Sequence, residues 1–289
     1  MNFEPRYVEE NVNVPHHNHL GDFFRLSLWL LVIVLGIYLS LGFVAEKIAE
    51  RLPPKYEVAM AGGFTSKLDS AAFPQTREYL QKVLDSLVAS AADLPKFSYK
   101  VSIHDLSDVN AVALPAGHIV VFRGLLAQLK SENELAMILA HELGHYAHRD
   151  HLRGMGRGLV LMSIMTVLGL SGDGPGFISP SVQTLSLKYS RDQESAADHY
   201  ALDLFARTYG HAGGALDVFK VLEREKKGIS GPGFFSTHPD TLWRMQALER
   251  YIQLKNSPQG AVRPLPGSGV LPFKEDKKKD ETALPLCDV

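Results

Sequence analysis

The run His141-Glu142-Leu143-Gly144-His145 constrains this 289-residue chain more than any other stretch. Two histidines four residues apart stack on one helix face, so both imidazoles can reach a single ion. Zinc accepts neutral His nitrogen, and a catalytic zinc site needs three protein ligands plus an open position for water. Glu142 follows the first histidine directly, where its carboxylate can lean over the open position and accept a proton from water. The motif carries this meaning only on a helix, and the flanking residues predict one. Ser131-Glu132-Asn133-Glu134 is an S-x-x-E capping box ahead of an apolar run. Leu135, Ile138, Leu139 and Leu143 recur at spacings of three and four, and Ala136, Ala140 and Ala147 are strong helix formers. The pattern predicts a helix from about Glu132 to about His151.

A third ligand must come from another element. Ser190-Arg191-Asp192-Gln193-Glu194-Ser195-Ala196-Ala197-Asp198 places Glu194 and Asp198 four apart on one helix face. Ala196, Ala197 and Ala201 would let that helix approach the His141 helix closely. Glu194 can complete a His-His-Glu set, and Asp198 can accept a hydrogen bond from the second nitrogen of a ligating histidine, fixing its tautomer. The plainer reading is an amphipathic helix with solvated acids; an intact H-E-x-x-H upstream weighs against it.

These motifs resemble the HtpX-like and CAAX prenyl endopeptidase family of membrane-associated zinc metallopeptidases, gluzincins whose third ligand is the Glu of an E-x-x-x-D motif. Two further stretches agree: Asn110 to Ile119 resembles the family's N-A-x-A-x-P-G-G segment, and Ser236-Thr237-His238-Pro239 with Arg244 resembles its S-x-H-P…R segment. The resemblance runs from about Leu94 to Tyr251, with Ala116 standing where the family usually has glycine. It implies one Zn2+ per chain, held by His141, His145 and Glu194, with Glu142 as general base. It also implies an edge strand at Asn110 and Ala111 that pairs with an extended substrate. His238 and Arg244 would stabilise the oxyanion, or His238 would be a fourth ligand in a resting form. Their plain readings are a helix-start histidine before Pro239 and a surface arginine.

Other histidines read as non-ligands. His118 begins the apolar run Ile119 to Phe122, His148 and His151 continue the active helix, and Pro15 to His19 forms a polar arm.

Leu26 to Ala45 is a twenty-residue run without charge. It would cover about 30 Å as a helix, the hydrocarbon thickness of a bilayer. A signal peptide should have a shorter core and a small-x-small cleavage site; Phe43-Val44-Ala45 offers none, so a retained single-pass anchor is expected. Arg6 and Arg25 precede it and Lys47, Arg51 and Lys55 follow, a slight lean towards a cytoplasmic enzyme domain. A bacterial inner membrane is the expected setting. A second apolar run, Leu159 to Leu170, is too short to span and reads as a buried or membrane-facing helix. The Gly-rich stretch 171–177 after it reads as a flap.

The expected layout is an arm over 1–25, a span over 26–45, a metallopeptidase domain over 56–255 and a disordered Pro/Lys-rich tail over 256–289. Strands at Phe97–His104 and Val112–Phe122, followed by helices, predict a mainly helical α+β gluzincin-type domain whose small sheet borders the active-site helix. A net charge of −2 argues against a nucleic-acid partner, and the lone Cys287 excludes an internal disulfide. The reading as a whole is a membrane-anchored zinc endopeptidase acting on unfolded or membrane-protein polypeptides in quality control. A peptide-binding scaffold without catalysis and a terminus-trimming peptidase are the competing classes.

Overall fold

The computed structural model describes residues 18–61, 73–154, 189–226, 238, 241–267 and 270–271. Their elements run α1 (His19–Arg51), α2 (Pro54–Ala61), α3 (Pro74–Ser90), β1 (Lys100–His104), β2 (Ala111–Leu114), β3 (His118–Phe122), α4 (Arg123–Gln128), α5 (Glu132–Ala147), α6 (Arg191–Tyr209), α7 (Asp217–Lys226) and α8 (Thr241–Leu254). The mainly helical α+β class with one small sheet is what the sequence predicts.

The sheet has the order β1-β3-β2, with β3 parallel to β1 and antiparallel to β2. Among the described residues β2 is therefore an edge. The Phe122 N–H donates to the Asn110 carbonyl at 3.0 Å. Antiparallel alternation then turns Val112 and Leu114 towards β3 and points the backbone groups of Ala111 and Ala113 away from it, at residues that are themselves buried. The Ala111 N–H is met by the side-chain oxygen of Asn110 at 2.9 Å. The predicted second strand is thus two strands broken by a 3-10 turn, Pro115–Gly117. Pro115 opens that turn, and Ala116 and Gly117 both take positive φ, 65° and 82°.

α5 is the centre of the domain. It starts on the predicted capping box: Ser131 Oγ accepts from the Glu134 N–H at 3.2 Å and Glu134 Oε2 accepts from the Ser131 N–H at 3.3 Å. Every residue from Asn133 to Tyr146 is buried. Leu135, Leu139 and Leu143 pack with Leu80 and Leu84 of α3, Ile119 and Val121 of β3, and Leu202 and Phe205 of α6 in one core. The contact with α6 is at backbone distance. A Cβ added at Gly144 would lie 2.8 Å from the Ala197 carbonyl oxygen and 2.9 Å from its Cα.

α1 is of another kind. Leu26, Trp29 and Ile33 are all more than half exposed. The stretch His19–Val44, whose most apolar 18 residues have a mean hydropathy of 2.4, is long and apolar enough to cross a membrane.

Two expectations need correction. The active helix stops at Ala147 rather than near His151: His148 caps it, Arg149 takes φ 58°, and helical backbone resumes over 150–154. His151 therefore belongs to a separate turn of helix, where it is buried against Glu57. The stretch after Asn256, read as a disordered tail, lies in part on the domain. Ser131 bridges to Pro264, the Glu132 N–H donates to the Arg263 carbonyl at 3.0 Å, and Leu271 is buried. The Arg263 carbonyl thereby satisfies one of the otherwise orphaned first N–H groups of α5, and the Arg263 N–H donates in return to Asn133 Oδ1 at 2.9 Å. The arm over residues 1–17, the 159–170 run, the 171–177 stretch, Ser236, Thr237, Pro239 and residues 272–289 lie outside the described residues.

Gly144→Ala is expected to push α5 and α6 apart and to destabilise the domain by about 1–3 kcal/mol, the usual cost of overpacking. Chemical unfolding in detergent checks it. An unchanged midpoint would show that the contact can relax freely.

Candidate metal centre

Four buried side chains, His141, His145, Glu194 and His238, bring ligand atoms within 4.8 Å of one another and could hold a metal ion. The two histidines come from consecutive turns of α5. Glu194 comes from the first turn of α6, which opens on a second capping box: Ser190 Oγ accepts from the Gln193 N–H at 3.3 Å and Gln193 Oε1 accepts from the Ser190 N–H at 2.9 Å. Because Gly144 admits the Ala197 backbone, Glu194 arrives one turn earlier on α6 beside both imidazoles. Its carboxylate oxygens lie 3.5 Å from His145 Nε2 and 3.6 Å from His141 Nε2.

The tautomers are set from outside. His141 Nδ1 is 2.9 Å from Asp198 Oδ1, and His145 Nδ1 is 3.0 Å from Asp150 Oδ2. With both Nδ1–H groups donating to carboxylates, the Nε2 atoms of neutral rings would present lone pairs to each other across 3.1 Å. His238 Nδ1 lies 3.2 Å from His141 Nε2 and 2.8 Å from Glu194 Oε1. Facing lone pairs in a dry site repel unless a proton or a metal ion lies between them, so the donor set fits a metal ion.

Asp150 is a site residue that sequence reasoning misses. On a continuous helix, residues 145 and 150 point in very different directions. The left-handed Arg149 folds Asp150 back beneath His145. Its other oxygen accepts from Gln193 Nε2 at 2.8 Å, so the capping residue of α6 also holds this acid. Tyr189, likewise unforeseen, stacks on the His145 ring at 3.8 Å and 15°.

Arg244 is buried rather than a surface arginine. Its Nε and Nη2 each lie 2.7 Å from an oxygen of Asp198, and its Nη1 lies 2.6 Å from Glu194 Oε2. His238 is 1% exposed and sits over the cluster, not at a solvated helix start. Asn110 and Ala111 lie at the head of β2, which packs on α5. Of the histidines read as non-ligands, His118 pairs with Ser102 Oγ at 2.8 Å and His151 with Glu57 Oε1 at 2.7 Å.

Glu142 stands apart. It is fully buried, and neither carboxylate oxygen has a hydrogen-bond partner; Oε1 is 3.8 Å from His238 Nε2. Burial pushes its pKa up, against the pull of the His145 and His141 imidazoles. The other acids go the opposite way. Burial opposes ionisation of Glu194, yet His238, His145 and His141 hold its pKa far below the usual range. Burial also opposes ionisation of Asp198 and Asp150, but Arg244 and His141 keep the first low and His145 and Gln193 the second. Burial lowers the pKa of His141 and His238. For His145 burial acts in the same sense, but Asp150 and Glu194 outweigh it and raise the pKa to about 9.

Residues 74–252 match the profile described as peptidase family M48. A mitochondrial metalloendopeptidase OMA1 of Arabidopsis thaliana is 32% identical over 221 residues, covering 72% of this chain and 43% of that protein. The metalloprotease YcaL of Escherichia coli (strain K12) is 30% identical over 161 residues, covering 54% of this chain and 62% of that protein. The metalloprotease LoiP of the same strain is 26% identical over 188 residues, covering 62% of this chain and 74% of that protein. The chain spans about half the length of the first of these relatives.

Asp150→Asn removes the charge that fixes His145 while leaving the four ligand side chains in place. It is expected to weaken metal affinity about 10- to 100-fold, the range for lost outer partners of ligands. Competition with a chromogenic chelator measures it; affinity equal to wild type would detach Asp150 from the centre.

Proposed function

The chain belongs to peptidase family M48, and on that premise we propose that it is a membrane-anchored, zinc-dependent endopeptidase. The observation that carries this reading is the fully buried Glu142 carboxylate, which no side chain hydrogen-bonds, beside three imidazoles and Glu194. A buried acid so thinly partnered costs stability, so its retention favours a chemical role. His141, His145 and Glu194 would hold the ion. Zinc bound there supplies a Lewis acid and an acidified water. Glu142, its pKa raised by burial, would take a proton from the attacking water and deliver it to the leaving amine. Asp198 and Asp150 would keep both Nδ1 protons in place, so that the Nε2 atoms stay available to the ion. Arg244, held by Asp198 and Glu194, would orient the glutamate ligand rather than meet an oxyanion.

The outer edge of β2, buried as the chain stands, would bind an extended polypeptide by strand addition once uncovered, with Asn110 and Ala111 at its head. Such recognition reads backbone more than side chains and suits unfolded substrates, including damaged membrane proteins met beside the bilayer. α1 would be the anchor.

A second reading concerns the resting state, and the position of His238 favours it. With Nδ1 at 2.8 Å from Glu194 Oε1 and 3.2 Å from His141 Nε2, His238 would complete a four-donor set of the closed, structural kind. The enzyme would then be latent until substrate displaces this imidazole.

Unfolded casein and purified full-length protein, with zinc measured on the same sample, test the function. Wild type is expected to cleave, Glu142→Gln to keep one zinc and lose cleavage by at least about 1000-fold, and His145→Ala to lose both. Full zinc in the His145 variant would contradict the ligand assignment. For latency, His238→Ala should keep zinc and cleave at least as fast as wild type. A loss of about 100-fold or more would place His238 at the oxyanion instead.

A further inference from the structure

Among the described residues only three non-glycine positions have positive φ: Ala116, Arg149 and Asn256. Asn256 follows the end of α8, where asparagine commonly ends a helix. Ala116 and Arg149 have no such excuse. A left-handed conformation costs an ordinary L-residue about 1–2 kcal/mol, and it persists only where surroundings impose it.

Both positions shape the cleft. Ala116 lies in the turn between β2 and β3 and sets where the β2 edge runs beside α5. Arg149 makes the turn that returns Asp150 to His145. Both are also held by the same short stretch, Leu52 to Glu57, which covers the junction after α1 and the first turn of α2. Glu57 Oε1 accepts from the Ala116 N–H at 2.9 Å and lies 2.7 Å from His151 Nε2. Arg149 Nη1 donates to the Leu52 carbonyl at 2.5 Å. Glu57 and His151 are buried, and Glu57 Oε2 and His151 Nδ1 have no hydrogen-bond partner. A buried pair left partly unsatisfied adds little to stability compared with apolar packing. Its use here is geometric. Although burial opposes it, His151, the Ala116 N–H and Arg149 keep Glu57 below the usual glutamate pKa, so it stays a carboxylate.

We propose that the membrane-proximal segment Leu52–Glu57 is part of the active site's framework, with Glu57 as a positioning residue that clamps both left-handed turns. The anchor would then be joined to the cleft by a rigid tie and not by a tether. This rests on the peptidase reading, because the consequence for turnover runs through β2 as the substrate-binding edge.

The test uses the full chain in nanodiscs, as wild type, Glu57→Ala and Glu57→Gln, with Leu84→Ala as a core-destabilised control away from both turns. Casein kinetics are combined with amide exchange over residues 111–117 and 149–152. Glu57→Ala should raise KM about tenfold and speed exchange in both segments, with kcat within about twofold. Glu57→Gln, whose amide oxygen can still accept from Ala116, should restore KM to within about twofold of wild type. Leu84→Ala should lower the unfolding temperature without changing KM or local exchange. Unchanged KM and exchange in Glu57→Ala, or the same changes in Leu84→Ala, would overturn the clamp. Absence of turnover in both wild type and the unlatched His238→Ala variant would refute the peptidase reading instead. Exchange would then decide the clamp alone: faster in both segments for Glu57→Ala upholds it, unchanged rates overturn it.

Discussion

A side chain at position 144 would place its Cβ 2.8 Å from the carbonyl oxygen of Ala197. The missing atom sets the separation of α5 and α6, and that separation sets the site. Helices that meet through larger residues run 8–10 Å apart; here the glycine inside the His-Glu motif removes the spacer where the second helix must deliver its glutamate. The other helical contacts follow. Asp198, one turn beyond Glu194, meets His141 Nδ1, and Arg244 from α8 closes over both acids. The motif's glycine is thus a packing residue, and its position between the two histidines is what lets one ion reach both helices.

The same compactness creates an electrostatic problem. Glu142, Asp150, Glu194 and Asp198 are all buried within one cluster, and among the described residues Arg244 is the one guanidinium buried with them. Such a surplus of buried negative charge is unfavourable without counter-charge. In the absence of an ion a proton serves: His145 carries the raised pKa, while burial keeps His141 and His238 low. A divalent cation would do the same work better, since the cluster offers it three imidazoles and Glu194. Its binding would displace the proton from His145, which would tie affinity to pH through the same carboxylates that fix the tautomers.

Much of this was legible in the chain. Ser131 and Glu134 announced α5, the four-residue spacing of His141 and His145 announced one ligand face, and Glu194 and Asp198 did the same for α6. These signals are local, and helix geometry converts them directly into positions in space. Arg244 and His238 were legible only through family resemblance, because nothing within their own segments says that they turn inward. The docked stretch around Pro264 was misread because its Pro and Gly content resembles a solvated tail. Its attachment is made by hydrogen bonds between the Arg263 backbone and the start of α5, which composition does not record.

The illegible parts of the site share one physical cause. Periodicity extended α5 through His151, and the strand pattern ran unbroken from Val112 to Phe122; both failed at a residue whose backbone leaves the ordinary basins. Neither Ala116 nor Arg149 advertises a left-handed conformation, as glycine or asparagine would. Each is held there by partners more than fifty residues away in the chain, Glu57 for one and Leu52 for the other. Where local preference and observed backbone disagree, the difference must come from tertiary contacts, and natural chains keep such conflicts mainly where function needs them. Here the two conflicts meet at Glu57, one in the turn that ends the β2 edge and the other delivering Asp150 to His145. The departures from local rule therefore mark the cleft as clearly as the motif does.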